Sequence, residues 1–454
     1  RYHSRLEEFY EVISYHYQPS HYYERAFHYL KLSGEKSMRN NSAFEAYNFY
    51  QAALASLDQF PNADMKKKSR VEIIHAMMSS IIVLGFPEDS LDILESGIEA
   101  ASELDDRKSL IRFYSNAGLY HSSKGKHDQG LEFIEKAYVE AHAIGDITAI
   151  SQTTPDLILM KMSEGRFSEV VEIASQLISA IREEGRELDN FGGPAVVLPA
   201  FLSMSGYALS HLGRFEEAQN KFKEGLAVAS RTDSIFTMAV CNSYPARSLA
   251  LQGMWQGAKD FYLTALDYLK QATFPFLEAF VKSGLGVAEA FLGDPQYGEK
   301  LVKEARSCLK AANMEWNRSI IFFSQGICSH EAGAMKRAHV LMDNALRLAV
   351  KEHEVDLQGL SLMWKGRIAK HLPRQSSEEA QSSIMKGLEM FTGLDIKPDA
   401  AMGHLFLGEH YAAFSEAEEA LIHLRKAEAL FASLDMGYWY NQTKGIIQQL
   451  ESPE

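Results

Sequence analysis

The sequence places few side chains at spacings that could carry chemistry. None of its 16 histidines forms a His-Glu-x-x-His motif or lies at zinc-ligand spacing from a cysteine. Cys308 and Cys328 lack the Cys-x-x-Cys spacing of a redox pair, so we expect two small buried hydrophobic residues. Neither a Gly-x-x-x-x-Gly-Lys-Ser/Thr phosphate loop nor a Gly-x-Ser-x-Gly hydrolase turn occurs. We therefore predict no catalytic residue, no metal site and no cofactor in this chain.

The charge and the apolar content exclude further classes of protein. Lys and Arg total 46 against 60 Asp and Glu, so the formal net charge is −14. This balance disfavours a nucleic-acid surface and an anionic membrane surface. No apolar run reaches the ~18 residues that span a bilayer. Three cysteines in 454 residues indicate a reducing compartment. We expect a cytoplasmic protein without nucleic-acid or membrane partners.

A pattern of residue sizes recurs along the chain. A small residue is followed by another small residue twelve positions later, a large one four further on and a small one three further on. From Gly206 to Gly326 the leading residue returns every 40 positions, and Gly366 continues the series. The clearest copies begin at Gly118, Gly206, Ala246, Gly286, Gly326 and Gly408.

Paired helices explain this spacing. Small residues on two facing helices let the backbones approach, and the large residue four positions on lies on the same face of the second helix. Turns such as 212–215, Leu-Gly-Arg-Phe, separate the two helices, and strand-like alternation is absent. We predict an all-α fold, a right-handed superhelical solenoid of roughly ten to eleven helix-turn-helix hairpins.

The spacing resembles that of the tetratricopeptide repeat, over about residues 5–435. That repeat has about 34 residues, whereas armadillo and HEAT units have about 40–47, so the period of 40 fits both descriptions. Because the small-residue spacing recurs nearly intact, we favour a long-helix tetratricopeptide variant. The Trp of the consensus is missing, and Tyr114 and Phe322 occupy its place. The resemblance implies a fold and leaves the function open.

The segment 5–57 resembles the start of the helical-repeat region in large bacterial signalling ATPases. The matching elements are Tyr22-Tyr23-Glu24-Arg25-Ala26, Gly34-Glu35-Lys36 and Ala43-Phe44-Glu45-Ala46. In that class such repeats follow an ATPase domain, in adenylate or guanylate cyclases and in activators of the maltose-regulon type. The resemblance, with the absence of a starting Met, leads us to expect a piece of a longer polypeptide.

Three segments and two functions follow from these patterns. We expect opening helical repeats at 1–60 that join an upstream domain, a repeat superhelix at 61–436 and a capping helix at 437–454. The first function is a non-catalytic module of a bacterial signalling protein that senses a ligand and regulates an upstream ATPase with cyclase or transcriptional output. The alternative is a stand-alone adaptor that scaffolds protein partners.

A concave groove lined by the first helix of each hairpin is the expected binding surface. Its partner would be a protein, a peptide or a small effector, in addition to the upstream domains of the same polypeptide. Pro155, Pro199 and Pro245 fall in predicted first helices, where an interior proline kinks the helix. Such kinks would either set the curvature of the superhelix or free carbonyl groups for a ligand. For Pro199 the alternative is that it marks the start of a helix. The candidate groove residues are Ser203, Tyr207, Ser210, Ser243, Arg247, Phe323, His330, Arg367, Lys370 and Glu409.

Overall fold

The computed structural model describes residues 3–17, 22–40, 42–271, 274–311, 318–372 and 377–452, with side chains from residue 6 onward. Parts of the predicted segments 1–60 and 437–454 lie outside these residues. The described residues form helices joined by short turns, and no strand occurs among them. Consecutive helices pack as hairpins. The predicted all-α class of stacked helix-turn-helix repeats is confirmed.

The helices belong to two compact units, and the boundary after Leu157 lies within the helix Ile147–Ser163, α8. The first unit contains seven α-helices among its described residues. They are α1 (Tyr10–Tyr17), α2 (Tyr23–Arg39), α3 (Ala43–Ser56), α4 (Ala63–Val83), α5 (Ser90–Glu103), α6 (Arg107–Ser123) and α7 (His127–Ile144). Its core is a continuous cluster of buried apolar side chains that includes Ile74, Met77 and Phe113.

The second unit contains the following fourteen helices among its described residues. They are α9 (Phe167–Glu183), α10 (Val197–His211), α11 (Phe215–Ala229), α12 (Ile235–Leu251), α13 (Trp255–Leu269), α14 (Pro275–Phe291), α15 (Pro295–Ala311), α16 (Arg318–Glu331), α17 (Met335–Lys351), α18 (Val355–Ala369), α19 (Ser377–Gly393), α20 (Lys397–Ala413), α21 (Ala417–Ser433) and α22 (Gly437–Glu451). The first helices of successive hairpins, α10, α12, α14, α16, α18 and α20, also contact one another.

The predicted contact between small residues holds each hairpin together. A Cβ atom at Gly286 would lie 2.7 Å from the carbonyl oxygen of Gly298 and 2.7 Å from Val302. At Gly206 it would lie 2.6 Å from the Phe222 ring, and at Gly408 it would lie 2.5 Å from Leu424. The large residue of the pattern therefore packs directly against the leading glycine, as the spacing predicts.

We expect Gly298→Ala to lower the stability of the α14–α15 hairpin by about 1–3 kcal/mol, the usual penalty for overpacking. The added methyl group would overlap the carbonyl oxygen of Gly286, a backbone atom that cannot move aside alone. The matched control is Gly445→Ala in α22, where a Cβ meets no atom within 4 Å. There the helix propensity of Ala should add up to about 1 kcal/mol. Amide hydrogen exchange in α14, α15 and α22 measures both stability changes. If Gly298→Ala and Gly445→Ala changed the stability in the same direction, the packing explanation would be contradicted.

The turns and prolines follow the local sequence. Gly213, in the predicted turn 212–215, and Gly125, in the turn between α6 and α7, adopt φ values of +75° and +71°, a conformation that suits glycine. Pro155 and Pro245 lie inside helices α8 and α12. Pro199 is the third residue of α10, so its alternative interpretation as a helix start is confirmed.

The second unit makes contacts between hairpins far apart in sequence. The turn at Gly213 packs against Leu434, and the turn at Gly253 packs against Tyr438. The Trp255 ring stacks on Phe291 at 4.0 Å and meets the edge of Trp439 at 6.2 Å. Early hairpins of the second unit are thus tied to α22 and to the residues that precede it. The repeat pattern contains no signal for these contacts.

Two other sequence expectations concern the described residues. Cys328 is buried as predicted, whereas Cys308 is only half-buried; both are free thiols. Across the described ranges, every helix is too short or too polar to cross a bilayer.

Candidate functional site

Tyr207 and Arg247, two of the predicted groove residues, lie together on a surface formed by the first helices. The Arg247 guanidinium stacks 4.0 Å from the Tyr207 ring centroid and donates a 2.6 Å hydrogen bond to the Tyr207 hydroxyl. The rings of Tyr244 and Phe280 lie 5.9 and 5.8 Å from the guanidinium. Three aromatic residues therefore hold this cation in place by cation–π attraction. We call the surface that carries Tyr207, Arg247, Arg367 and Glu409 the inner face.

Acidic side chains from later hairpins complement Arg247 and its neighbour His211, Asp356 for the first and Asp399 for the second. Burial raises the pKa of the Asp356 carboxyl to about 6, although the charges of His211 and Arg247 act in the opposite direction. His211 stacks on Phe167 at 4.1 Å, and its Nδ1 lies 3.4 Å from the Asp399 carboxylate. Both His211 and Asp399 are buried. Helices α10 and α20 are therefore joined by a buried polar contact.

A second cluster combines three predicted residues. The Arg367 guanidinium donates two hydrogen bonds to the Glu409 carboxylate, at 2.9 and 2.8 Å, and Lys370 donates a third at 2.8 Å. The Trp364 and Phe406 rings lie 4.8 and 4.4 Å from the guanidinium. Burial raises the pKa of Glu409, but the two cations outweigh it and lower the value to about 2. With one carboxylate between two cations, the cluster carries a net charge of +1.

A cavity of about 430 Å³ opens beside this cluster. Its volume falls in the lower half of the range of roughly 300–1,000 Å³ for ligand pockets. Its lining combines charged and polar side chains with apolar ones, so an occupant could contact both kinds of group. The lining residues are His330, Met335, Arg367, Lys370, His371, Glu409, Ala412 and Ile446.

The remaining predicted groove residues lie elsewhere. The hydroxyl of Ser203 donates to the Pro199 carbonyl at 2.9 Å, and that of Ser243 donates to Val240 at 2.8 Å. Ser210 bonds to the Gly206 carbonyl and to Ser248. These three serines are buried, so their hydroxyls serve the helices themselves. Phe323 is half-buried on α16. The structure thus unites four predicted residues at the cavity and two at the Arg247 cluster.

Several residues of the site lie outside the predicted groove positions, which are those three before, one after and four after each leading small residue. Asp356 lies 366 − 356 = 10 positions before Gly366, and Asp399 lies 408 − 399 = 9 before Gly408. Continuing the helical period to the start of each first helix would have found both. No sequence signal places Ile446 of α22 in the cavity wall. In the ranges given above, no three His, Cys, Asp or Glu side chains converge to hold a metal ion.

Comparison with known proteins gives similarity at the level of structure only. No family model matches the sequence, and no curated protein matches it. The chain is similar to a Rap protein complexed with competence and sporulation factor, with a TM-score of 0.48 and 13% identity over 90% of this chain and 98% of that one. It is also similar to a STAND signal-transduction ATPase with a tetratricopeptide-repeat sensor from Pyrococcus horikoshii, with a TM-score of 0.43 and 13% identity over 97% and 74%.

A tetratricopeptide-repeat protein from Parabacteroides merdae gives a TM-score of 0.38 and 14% identity, over 71% of this chain and 99% of that one. The stacked helical hairpins that the tetratricopeptide-like spacing predicts are present in the structure itself.

Proposed function

We propose that this chain is a non-catalytic recognition module whose inner face binds a protein or peptide segment, or a small effector, at the cavity beside Glu409. The observation that carries this proposal is the convergence of His330, Arg367, Lys370 and Glu409 on one cavity of about 430 Å³. These residues come from three different hairpins. A site assembled in this way can respond to a ligand by changing how the hairpins pack.

The site is organised in advance for binding. Stacking on Trp364 and Phe406 fixes the Arg367 guanidinium, so little side-chain entropy remains to be lost when a ligand arrives. The net charge of +1 favours a ligand with an acidic group, while Met335 and Ile446 offer an apolar surface. Nucleic acid is a poor match for a chain with a net charge of −14.

Binding at this site would regulate a larger signalling protein. The resemblance of segment 5–57 supports a place in a cytoplasmic bacterial signalling protein, in which these repeats regulate an upstream ATPase with cyclase or transcriptional output. The alternative is an adaptor that scaffolds partners without an ATPase. The sequence upstream in the natural gene distinguishes the two, since only the first requires a phosphate-binding loop.

A thermal-shift screen of the chain against peptides, nucleotides and oligosaccharides tests the binding role. A ligand that binds the folded state raises the melting temperature, and the rise grows with the logarithm of its concentration relative to its Kd. We expect Arg367→Gln to abolish the shift, because it removes the charged wall of the cavity. Arg425→Gln, a substitution at an exposed arginine of α21 that pairs with Glu428, should leave it unchanged.

The same screen also tests the extent of the site. If the ligand follows the inner face as far as the Arg247 cluster, Tyr207→Phe and Arg247→Gln should reduce the shift as well. A full shift in the Arg367→Gln variant would reject the cavity as the binding site.

A further inference from the structure

The first unit contains a partly buried cation that has no partner among the described residues. Arg112 lies on α6, partly covered by protein, and no acceptor in the described part of the chain forms a hydrogen bond or ion pair with it. Burial lowers the pKa of its guanidinium, and no neighbouring carboxylate opposes this effect. Because Arg112 keeps part of its exposure to solvent, its guanidinium is accessible to a ligand, and its partial loss of hydration favours an anionic partner.

Other partly buried cations in this chain have acceptors that the protein supplies. Arg367 and Lys370 share Glu409, Lys259 pairs with Glu289 at 3.0 Å, and Arg247 is bonded to Tyr207. Each of them has an acceptor supplied by the protein. Arg112 differs from them because no group in the described part of the chain accepts a hydrogen bond from it.

The repeat register places Arg112 on the face that corresponds to the inner face of the second unit. Arg112 lies six positions before Gly118, as Phe280 lies six before Gly286. The Phe280 ring faces the Arg247 guanidinium on the inner face. Equivalent positions of a repeat point in equivalent directions.

The polar neighbours of Arg112 on α6 are engaged in other contacts. Ser109, one turn before it, bonds to Nε2 of His75 at 2.9 Å, and Ser115, one turn after it, donates to Asp156 at 2.5 Å. The Asp156 carboxylate is thus held by a hydroxyl and not by Arg112. Nδ1 of His75 is itself buried without a hydrogen bond. Two polar groups of this region, the Arg112 guanidinium and the His75 ring, retain unused capacity.

We propose that Arg112 anchors a second ligand subsite, in the first unit, that takes an oxyanion such as a carboxylate or phosphate group. The planar fork of a guanidinium matches two oxygens of such a group. A bound oxyanion would supply the missing countercharge, and the neutral His75 beside it would not repel the anion. This subsite uses different residues from the cavity at Glu409, so the two binding proposals are tested separately.

Thermal melting of the whole chain in sodium phosphate, sodium acetate and sodium chloride at matched ionic strength tests the subsite. We expect phosphate or acetate to raise the melting temperature above that in chloride, and R112Q to lose this rise. The comparison of phosphate with acetate shows which oxyanion is preferred. In chloride, R112Q should melt at or above the wild-type temperature, because an uncompensated cation has been removed.

The control is R306Q, which changes an exposed arginine on α15 stacked over Phe322 and should keep the full rise. Equal rises in the wild type and R112Q would overturn the proposal, as would the absence of a specific oxyanion effect in the wild type. A melting temperature of R112Q in chloride clearly below the wild type would assign Arg112 a structural role instead. An effect that survives in R112Q but disappears in R367Q would place the anion in the second unit.

Discussion

Glu409→Gln is expected to destabilise the α18 and α20 region by about 3–5 kcal/mol, the range for removing one partner of a buried ion pair. The substitution leaves Arg367 and Lys370 without their shared carboxylate, and the side chains of these cations are only 16% and 12% exposed. An amide cannot supply the missing charge. The remaining guanidinium and ammonium would repel each other in a poorly solvated site.

An exposed pair provides the matched control. Glu217 accepts two hydrogen bonds from Arg214, at 2.7 and 2.6 Å, with the same fork geometry as Glu409 and Arg367. Both side chains of the control pair are about half exposed. Glu217→Gln should therefore change the stability by at most about 1 kcal/mol. Amide hydrogen exchange of α11, α18 and α20 reports both variants locally, and similar losses in the two would contradict the importance of burial.

The same carboxylate should make the second unit sensitive to acid. The pKa of Glu409 is about 2 in the folded chain, below the value of about 4.3 in an unfolded chain. A lowered folded pKa contributes stability that is fully present above the unfolded value and is lost as the pH falls through the folded one. We expect wild type to lose this contribution between about pH 4 and pH 2. The loss should be missing in Glu409→Gln, and parallel acid curves for the two proteins would contradict the assignment.

Trp439→Ala is expected to destabilise the packing of α22 by about 3–5 kcal/mol, the usual range for truncating a large buried aromatic residue. The Trp439 side chain is buried and meets the edge of the Phe291 ring at 6.1 Å and of the Trp255 ring at 6.2 Å. These are contacts between α22 and hairpins that lie far earlier in the chain. Their loss should therefore reach α13 and α14 as well as α22.

Local measurements distinguish this coupling from simple fraying of the C-terminus. We expect increased hydrogen exchange in α13, α14 and α22 of Trp439→Ala, and a much smaller effect of Trp439→Phe, which retains an aromatic ring. Gln442→Ala, at an exposed position of the same helix, should stay within about 0.5 kcal/mol of wild type. If exchange rises in α22 alone, the contact between distant hairpins does not contribute to stability.

Local packing within a hairpin could be predicted because it depends on residues close in sequence. The contact of Gly206 with Phe222, for example, follows from size and helical periodicity alone. The turns at Gly125 and Gly213 are also local, because glycine readily adopts the positive φ that each turn requires. Four of the ten candidate site residues also converge on one cavity, because equivalent positions on neighbouring first helices lie side by side.

The buried serines show that register alone does not identify a groove residue. Ser203 and Ser210 occupy positions that the repeat register turns toward the groove, yet their hydroxyls bond to carbonyl groups one helical turn earlier. A short hydroxyl side chain in a helix has this local alternative, whereas the long side chains of Arg247 and Arg367 extend beyond their helix and must find partners on another one. Side-chain length, more than register, separates the two outcomes.

Residue sizes and helical periodicity are enough to predict the helical hairpins, their spacing and the face of the first helices that carries Arg247, Arg367 and Glu409. Each of these depends on interactions over one or two helical turns or between adjacent hairpins, which a repeated pattern encodes directly. Three features emerge from the tertiary structure alone: the packing of Trp439 against Trp255, the position of Ile446 in the cavity wall, and the lack of a partner for Arg112 among the described residues. Such contacts depend on how small rotations between hairpins add up along the second unit, or on which acceptors each fold brings near, and no local pattern records either.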